Sequence, residues 1–321
     1  MLNNKRYLQI LFFIFTLIGI TTFSYAYYFS KEYPLPITSR ISFDAKIKFI
    51  REKIDTKKID TIIVGSSIGM NNVQGAYLEK ASSHVKHALN LSVYEASALQ
   101  VEQLLELIDA FPHLKRVIYS AQFSDFQHLS TFKNYHPKTL VKYITHTLNP
   151  LKEAKLIFDA SKDLPFLAKR KKEWAHKHGR SNDFSYLGFD HTGSVPLHIY
   201  GKDIIKRRWE NPHAAVQLPK AFDALFRIAK KMHQKGIKFY FIHQPYRQAL
   251  VEKDPMVKIV IKKFSKNLNV LISKDGGYFL SLHDTLHLED KYFADRSHLN
   301  DKGSIITSEA IGKFIDKSEG K

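Results

Sequence analysis

The sequence predicts an α/β protein, with a mostly parallel sheet of about five strands covered by helices on both faces. Three observations carry this. Short β-branched or aromatic runs recur along the chain, at 60–64, 116–120 and 237–242. Segments with apolar residues at helical spacing separate them, and strands alternating with helices feed a parallel sheet buried on both sides. The first run ends in Gly65-Ser66-Ser67, at the edge where open α/β sheets hold their ligands.

Ahead of that body, residues 7–29 follow Lys5 and Arg6 and contain no charge. At about 1.5 Å per residue such a run spans a hydrocarbon core of about 30 Å. The two cations favour a cytoplasmic N-terminus, so the expectation is a single-pass anchor in a bacterial cytoplasmic membrane. The rest of the chain is then periplasmic or extracellular. Two readings compete with it. A signal peptide cleaved at Ser24-Tyr25-Ala26 has a suitable small-x-small site, though the apolar run is long for one. A buried core helix sits poorly beside Lys5 and Arg6.

Residues 30–58 read as a tether (30–36) and a basic amphipathic lead-in helix (42–57). The main domain is expected over 59–321. Its strands are predicted at 60–64, 85–91, 116–120, 237–242 and, as a fifth, 270–272. Helices are predicted at 96–111, ending before Pro112, at 219–235, ending before Gly236, at 248–267, and at 301–315. Residues 128–211 break the rhythm. They hold the run Lys169-Arg-Lys-Lys172 and loop signals at 179–182 and 191–196, and read as a basic insertion placed to cap a site.

Composition narrows the function classes. Hydrophobic residues at 44% and charged ones at 25% exclude a mostly disordered chain. The absence of cysteine excludes a disulfide scaffold, a Cys-ligated zinc site, an iron–sulfur cluster and a thiol nucleophile. A net charge of +18 would suit nucleic acid, but an exported domain rarely meets it. Acidic envelope polymers or anionic headgroups are the expected partners, and the run at 169–172 reads as a solvated helix face.

Two motifs carry chemistry. Val64-Gly65-Ser66-Ser67-Ile68-Gly69 places serines after the first core strand, where a base and backbone N–H groups would make one a nucleophile. Asp295-Arg-Ser-His298, before the last helix, has the spacing to join a carboxylate to an imidazole. Singly, each has a plain alternative: an ordinary turn for the first, and for the second a capping loop in which Asn300 or Asp301 serves the helix.

Together, a serine after the first strand and Asp-x-x-His before the last helix resemble the SGNH (GDSL-type) esterase and acyltransferase superfamily, in particular its membrane-anchored branch. The resemblance implies a flavodoxin-like three-layer sandwich, with Ser67 as nucleophile, His298 as base and Asp295 as acid. It departs from the family in the middle blocks. Asn90-Leu-Ser-Val-Tyr-Glu95-Ala-Ser97 has Glu95 where the family has an oxyanion-hole glycine, and Gln122-Phe-Ser124-Asp125 lacks the family's asparagine donor. The implied oxyanion hole therefore combines the N–H groups of Ser67 and Glu95 with a side-chain donor from Ser124 or Gln122. Gly65-x-Ser67-x-Gly69 also fits the nucleophile elbow of α/β-hydrolases, but that fold places its serine later and separates acid from base.

The resemblance implies a membrane-anchored serine esterase or O-acyltransferase acting on acyl esters of cell-envelope glycans, sometimes beside a multi-pass acyltransferase. The departures favour a second reading, a catalytically impaired scaffold or glycan-binding protein on the same fold. No cofactor or metal is expected. His283 and His287 stand four apart, but Asp284 occupies the place where the zinc-protease pattern needs glutamate. His243, ending the fourth strand, reads as a satisfied structural histidine.

Overall fold

The computed structural model describes residues 4–38, 40–205 and 218–320. Strands β1 (Thr61–Gly65), β2 (Ala88–Asn90), β3 (Arg116–Ala121), β4 (Lys238–His243) and β5 (Tyr278–Ser281) form one sheet in the order β2-β1-β3-β4-β5. Every pairing is parallel. The two-residue period of a strand decides the layering. Ile62, Val64, Val117, Tyr119, Phe239 and Phe241 enter one core, and Ile63, Ile118, Tyr240 and Ile242 the other.

The helices, in chain order, are α1 (Asn4–Glu32), α2 (Ile41–Lys53), α3 (Ser67–Asn72), α4 (Gly75–Ala81), α5 (Ala98–Leu104), α6 (Pro137–Ile144), α7 (Pro150–Ser161), α8 (Leu164–His178), α9 (Pro219–Gln234), α10 (Gln248–Val251), α11 (Pro255–Lys274), α12 (Leu282–Thr285) and α13 (Asp301–Glu319). Helices α2, α5, α9 and α11 supply the larger core through residues such as Ile47, Leu104, Leu225 and Phe264. The opposite core takes Leu78 of α4 and Ile311 and Ile315 of α13.

Three expected elements are corrected here. Residues 270–272 are not a strand but lie within α11. Pro255 sits at its first turn, the Asp254 side chain accepts from the N–H groups of Met256 and Val257, and Val260, Phe264, Leu268 and Ile272 keep one buried stripe to the end. The fifth strand follows the Gly276-Gly277 turn, as Tyr278–Ser281. The helix expected at 248–267 is accordingly split into α10 and α11. Its neighbour expected at 96–111 tightens after Leu104 into a 3₁₀ turn, Leu105–Ala110.

Among the described residues, α1 is the helix long and apolar enough to cross a membrane. Its most apolar stretch is only 6% buried, which removes the core-helix reading; a membrane span and a signal sequence both meet this test. Its last turns are different. Ala26 and Phe29 are buried, and Tyr27, Ser30 and Lys31 line one hollow with Glu153 and Ile157 of α7, which packs on α1.

A further correction concerns one residue of the basic run at 169–172: Lys169, Lys171 and Lys172 are exposed, as a solvated face requires, but Arg170 is buried; of the expected insertion, 206–211 lie outside the described residues. Arg170 is not solvated. It is 1% exposed, and its guanidinium donates to Asp44 Oδ2 at 3.0 Å while Asp44 Oδ1 accepts from the Thr38 backbone and hydroxyl. Lys46 on the same helix α2 is also buried and donates to the carbonyls of Asn90 and Gly193, with Phe189 beneath its ammonium. Two buried cations thus tie the insertion to α2. Burial, against the pull of Arg170, already raises the Asp44 carboxyl to about 8, so removing Arg170 leaves a buried carboxyl that must take up a proton or stay unpaired. Arg170→Met is expected to cost about 3–5 kcal/mol in a denaturant melt, and Asp44→Leu added to it should restore most of that loss.

Candidate active site

Gly65 ends β1 because the backbone there runs close to β3: a Cβ would collide with the Ser120 carbonyl. Ser66 then caps α3, accepting from the Ile68 N–H at 3.1 Å. Ser67 is the first residue of the helix, so its N–H has no partner within the helix. Its side chain stands half-buried at the carboxyl edge of the sheet.

From the other end of the chain, the loop before α13 folds back on itself. Phe293 and Leu299 form an antiparallel bridge, and Asp295 Oδ1 accepts from the N–H groups of Ser297 and His298, both at 2.7 Å. Asp295 Oδ2 meets His298 Nδ1 at 2.9 Å, and His298 Nε2 meets Ser67 Oγ at 2.8 Å. The three side chains form a continuous hydrogen-bonded line between residues 231 positions apart. Asn300 caps α13 in the same loop, accepting from Gly303 N–H, so the capping role and the line to Ser67 coexist.

Electrostatics follow from this geometry. Burial works against charge on His298, but the charge and hydrogen bond of Asp295, helped by Asp125, raise its pKa above the ordinary 6.5. Burial alone would raise Asp295; the His298 contact and two backbone N–H groups outweigh it and hold the carboxyl at about 2. The pair is therefore built to carry an imidazolium.

An open cleft of about 680 Å³ lies over Ser67 and His298. Glu95 and Ser124 line it. Glu95 has φ 54°, in the left-handed region where glycine is at ease. Its carboxylate turns out to solvent and pairs with Arg40 at 2.6 Å, so the charge beside the cleft is neutralised. Gln122 requires correction as an oxyanion donor. It is fully buried, and its amide donates to the carbonyl of Pro245, with that of Ser297 next nearest. That amide joins two loops beneath the site and does not face the cleft.

Three contributors escaped the sequence reading. Asp125, beside Ser124, reaches the cleft with its carboxyl raised by burial; a Ser66 hydroxyl, the Gln122 N–H and nearby His128 and His298 partly oppose that. Its position in the third block was the signal. Phe184 of the insertion stands edge-on to the His298 ring, 5.8 Å between centroids, and Glu173, Lys177 and Ser185 extend that wall. Asn72, ending α3, donates to the Ser297 carbonyl and accepts from the Leu299 N–H, bracketing His298; nothing local in sequence marks it. His243 lies outside the cleft, bonded to Tyr246 and Ser281, and burial lowers its pKa to about 3. His283 falls in the single turn of α12 and His287 beyond it, and no metal-holding group of His, Asp and Glu occurs among the described residues.

No protein-family model matches the chain, and no curated protein matches it. Solved structures do. One is a provisionally designated arylesterase from Agrobacterium tumefaciens str. C58, at 10% identity and TM-score 0.37, covering 81% of this chain and 99% of its own. Another is a carbohydrate acetylesterase family member from Sinorhizobium meliloti, at 9% identity and TM-score 0.38, covering 82% and 100%.

The backbone at position 95 gives a direct check on the strained turn. Glu95→Gly should raise stability by about 1 kcal/mol, the left-handed penalty less a weak exposed ion pair, read from the denaturant midpoint. Glu95→Val should lower it.

Proposed function

We propose that this chain is a membrane-anchored, SGNH-type serine esterase or O-acyltransferase acting on acyl esters of cell-envelope glycans. The single observation that supports it is the line Ser67–His298–Asp295, with contacts of 2.8 and 2.9 Å, opening into a cleft at the carboxyl edge of a parallel sheet. In this reading His298 Nε2 takes the Ser67 proton as Oγ attacks the acyl carbonyl. Asp295 fixes the tautomer and stabilises the imidazolium. The oxyanion is met by the Ser67 N–H, with Glu95 and Ser124 as the remaining candidates. His298 then returns its proton to the leaving alkoxide, and water or a sugar hydroxyl takes the acyl group from Ser67.

Lys5 and Arg6, in the first turn of α1 ahead of its uncharged run, favour a domain outside the cytoplasm. There an anionic or acylated glycan is the substrate, a multi-pass acyltransferase a fitting donor, and nucleic acid no partner. A second reading, a scaffold or glycan-binding protein without turnover, draws on one observation: the Gln122 amide is engaged beneath the site and does not stand in for the family's asparagine donor. Loss of one such donor costs about 2.7–4 kcal/mol of transition-state stabilisation.

Intact-mass analysis after a serine-directed fluorophosphonate separates the two. The enzyme reading expects one adduct on the wild type, none on Ser67→Ala, and slowed labelling of His298→Ala; no adduct on folded wild type would favour the scaffold. The labelling rate should fall as pH drops through a value above 6.5, because His298 works as a base only when neutral and its pKa is raised. Asp295→Asn should move that limb to lower pH and slow turnover by up to about 10⁴-fold.

A further inference from the structure

We propose that α7 is a foot on the membrane: its outward face lies on the headgroup layer of an anionic bilayer, beside the point where α1 leaves it. This rests on the reading of α1 as a membrane span. Helix α7 packs on the one end of α1 that is buried, at Ala26 and Phe29. Tyr25 and Tyr28, exposed at that same end, are the residue type that settles at the lipid–water boundary. Proximity therefore sets α7 at headgroup height.

The outward face has the matching chemistry. Leu151, Lys155 and Phe158 recur at i, i+4 and i+7, one stripe of a helix, and Lys162 continues it. Leu151 is 82% exposed and Phe158 48%, and Leu164 at the start of α8 extends the apolar surface. Apolar side chains threaded with lysines are how interfacial helices bind. The apolar groups enter the acyl boundary, lysine stems follow them, and the ammonium groups meet anionic headgroups. The acids do not oppose this. Glu153 pairs with Arg51 at 2.7 Å on the protein side, and Asp159 is engaged by Lys155 at 2.8 Å, so the surplus positive charge of the helix rests on the exposed Lys152 and Lys162. Helix α11 also exposes Met256, Ile259 and Val270 among lysines, but its principal neighbours are β5, α9 and α10.

The chain has no cysteine, so single labels can be placed without background. Full-length protein carrying an environment-sensitive fluorophore at Tyr25→Cys, Leu151→Cys, Phe158→Cys or Lys313→Cys is placed in nanodiscs of phosphatidylglycerol and phosphatidylcholine with brominated acyl chains. Quenching is expected at 25, 151 and 158 and not at 313, on the far face of the sheet. Quenching at 158 should be lost when Lys152, Lys155 and Lys162 are changed to Glu, with that at 25 unaffected. Quenching at 25 without quenching at 151 and 158 overturns the foot and leaves the anchor standing. A label at 158 that is blue-shifted yet unquenched shows that protein covers this face, which also overturns it. Absence of quenching at 25 overturns the anchor itself, and the foot with it.

Discussion

The side chain of Asn72 holds the loop of His298 to the helix that begins with Ser67, and the cleft is organised around that clamp. In a parallel sheet the carboxyl ends of all strands share one edge, but β1 and β5 are three strand spacings apart, about 14 Å. The chain leaving β5 must cross β4 and β3 before His298 can face Ser67. Where it arrives, the Asn72 amide takes the backbone on both sides of the imidazole, and the Thr307 hydroxyl of α13 takes the Asn72 carbonyl. Ser67 and Asn72 share a six-residue helix, so any shift of that helix carries the serine and the histidine loop together.

How much of this the sequence discloses depends on whether the signal is local. Strands buried on both faces need continuous β-branched or aromatic runs, which is why β1, β3 and β4 are legible. The fifth strand is not, because Val270-Leu-Ile272 resembles a strand over three residues while the stripe from Val260 to Ile272 makes it helix over twenty. Ser67, Asp295 and His298 sit in short motifs whose spacing states the geometry. Asn72, Phe184 and the turned-away amide of Gln122 are defined by what folding brings beside them, and no spacing encodes that.

The basic composition also divides in two. A share of the cations belongs to the interior: Arg170 meets the Asp44 carboxylate, and Lys46, its pKa pushed down to about 7 by burial, satisfies two backbone carbonyls. Both act on α2, whose first residues Ile41 and Ser42 line the cleft. Insertion, lead-in helix and cleft wall are consequently one mechanical unit. The insertion is part of the site's architecture, and Phe184 on the His298 ring is where that shows.

Helix α8 runs from Leu164, beside the proposed foot, to Glu173 and Lys177 in the cleft wall. From Leu164 to Lys177 its axis covers about 20 Å. Were α1 to lie in the bilayer and α7 upon it, as proposed above, that helix would act as a yardstick between the lipid and the wall of the cleft at Ser67. Substrates would then be sorted by address as well as by bond type: an ester near the base of a surface polymer comes within reach, and an identical ester farther out along the same polymer never does.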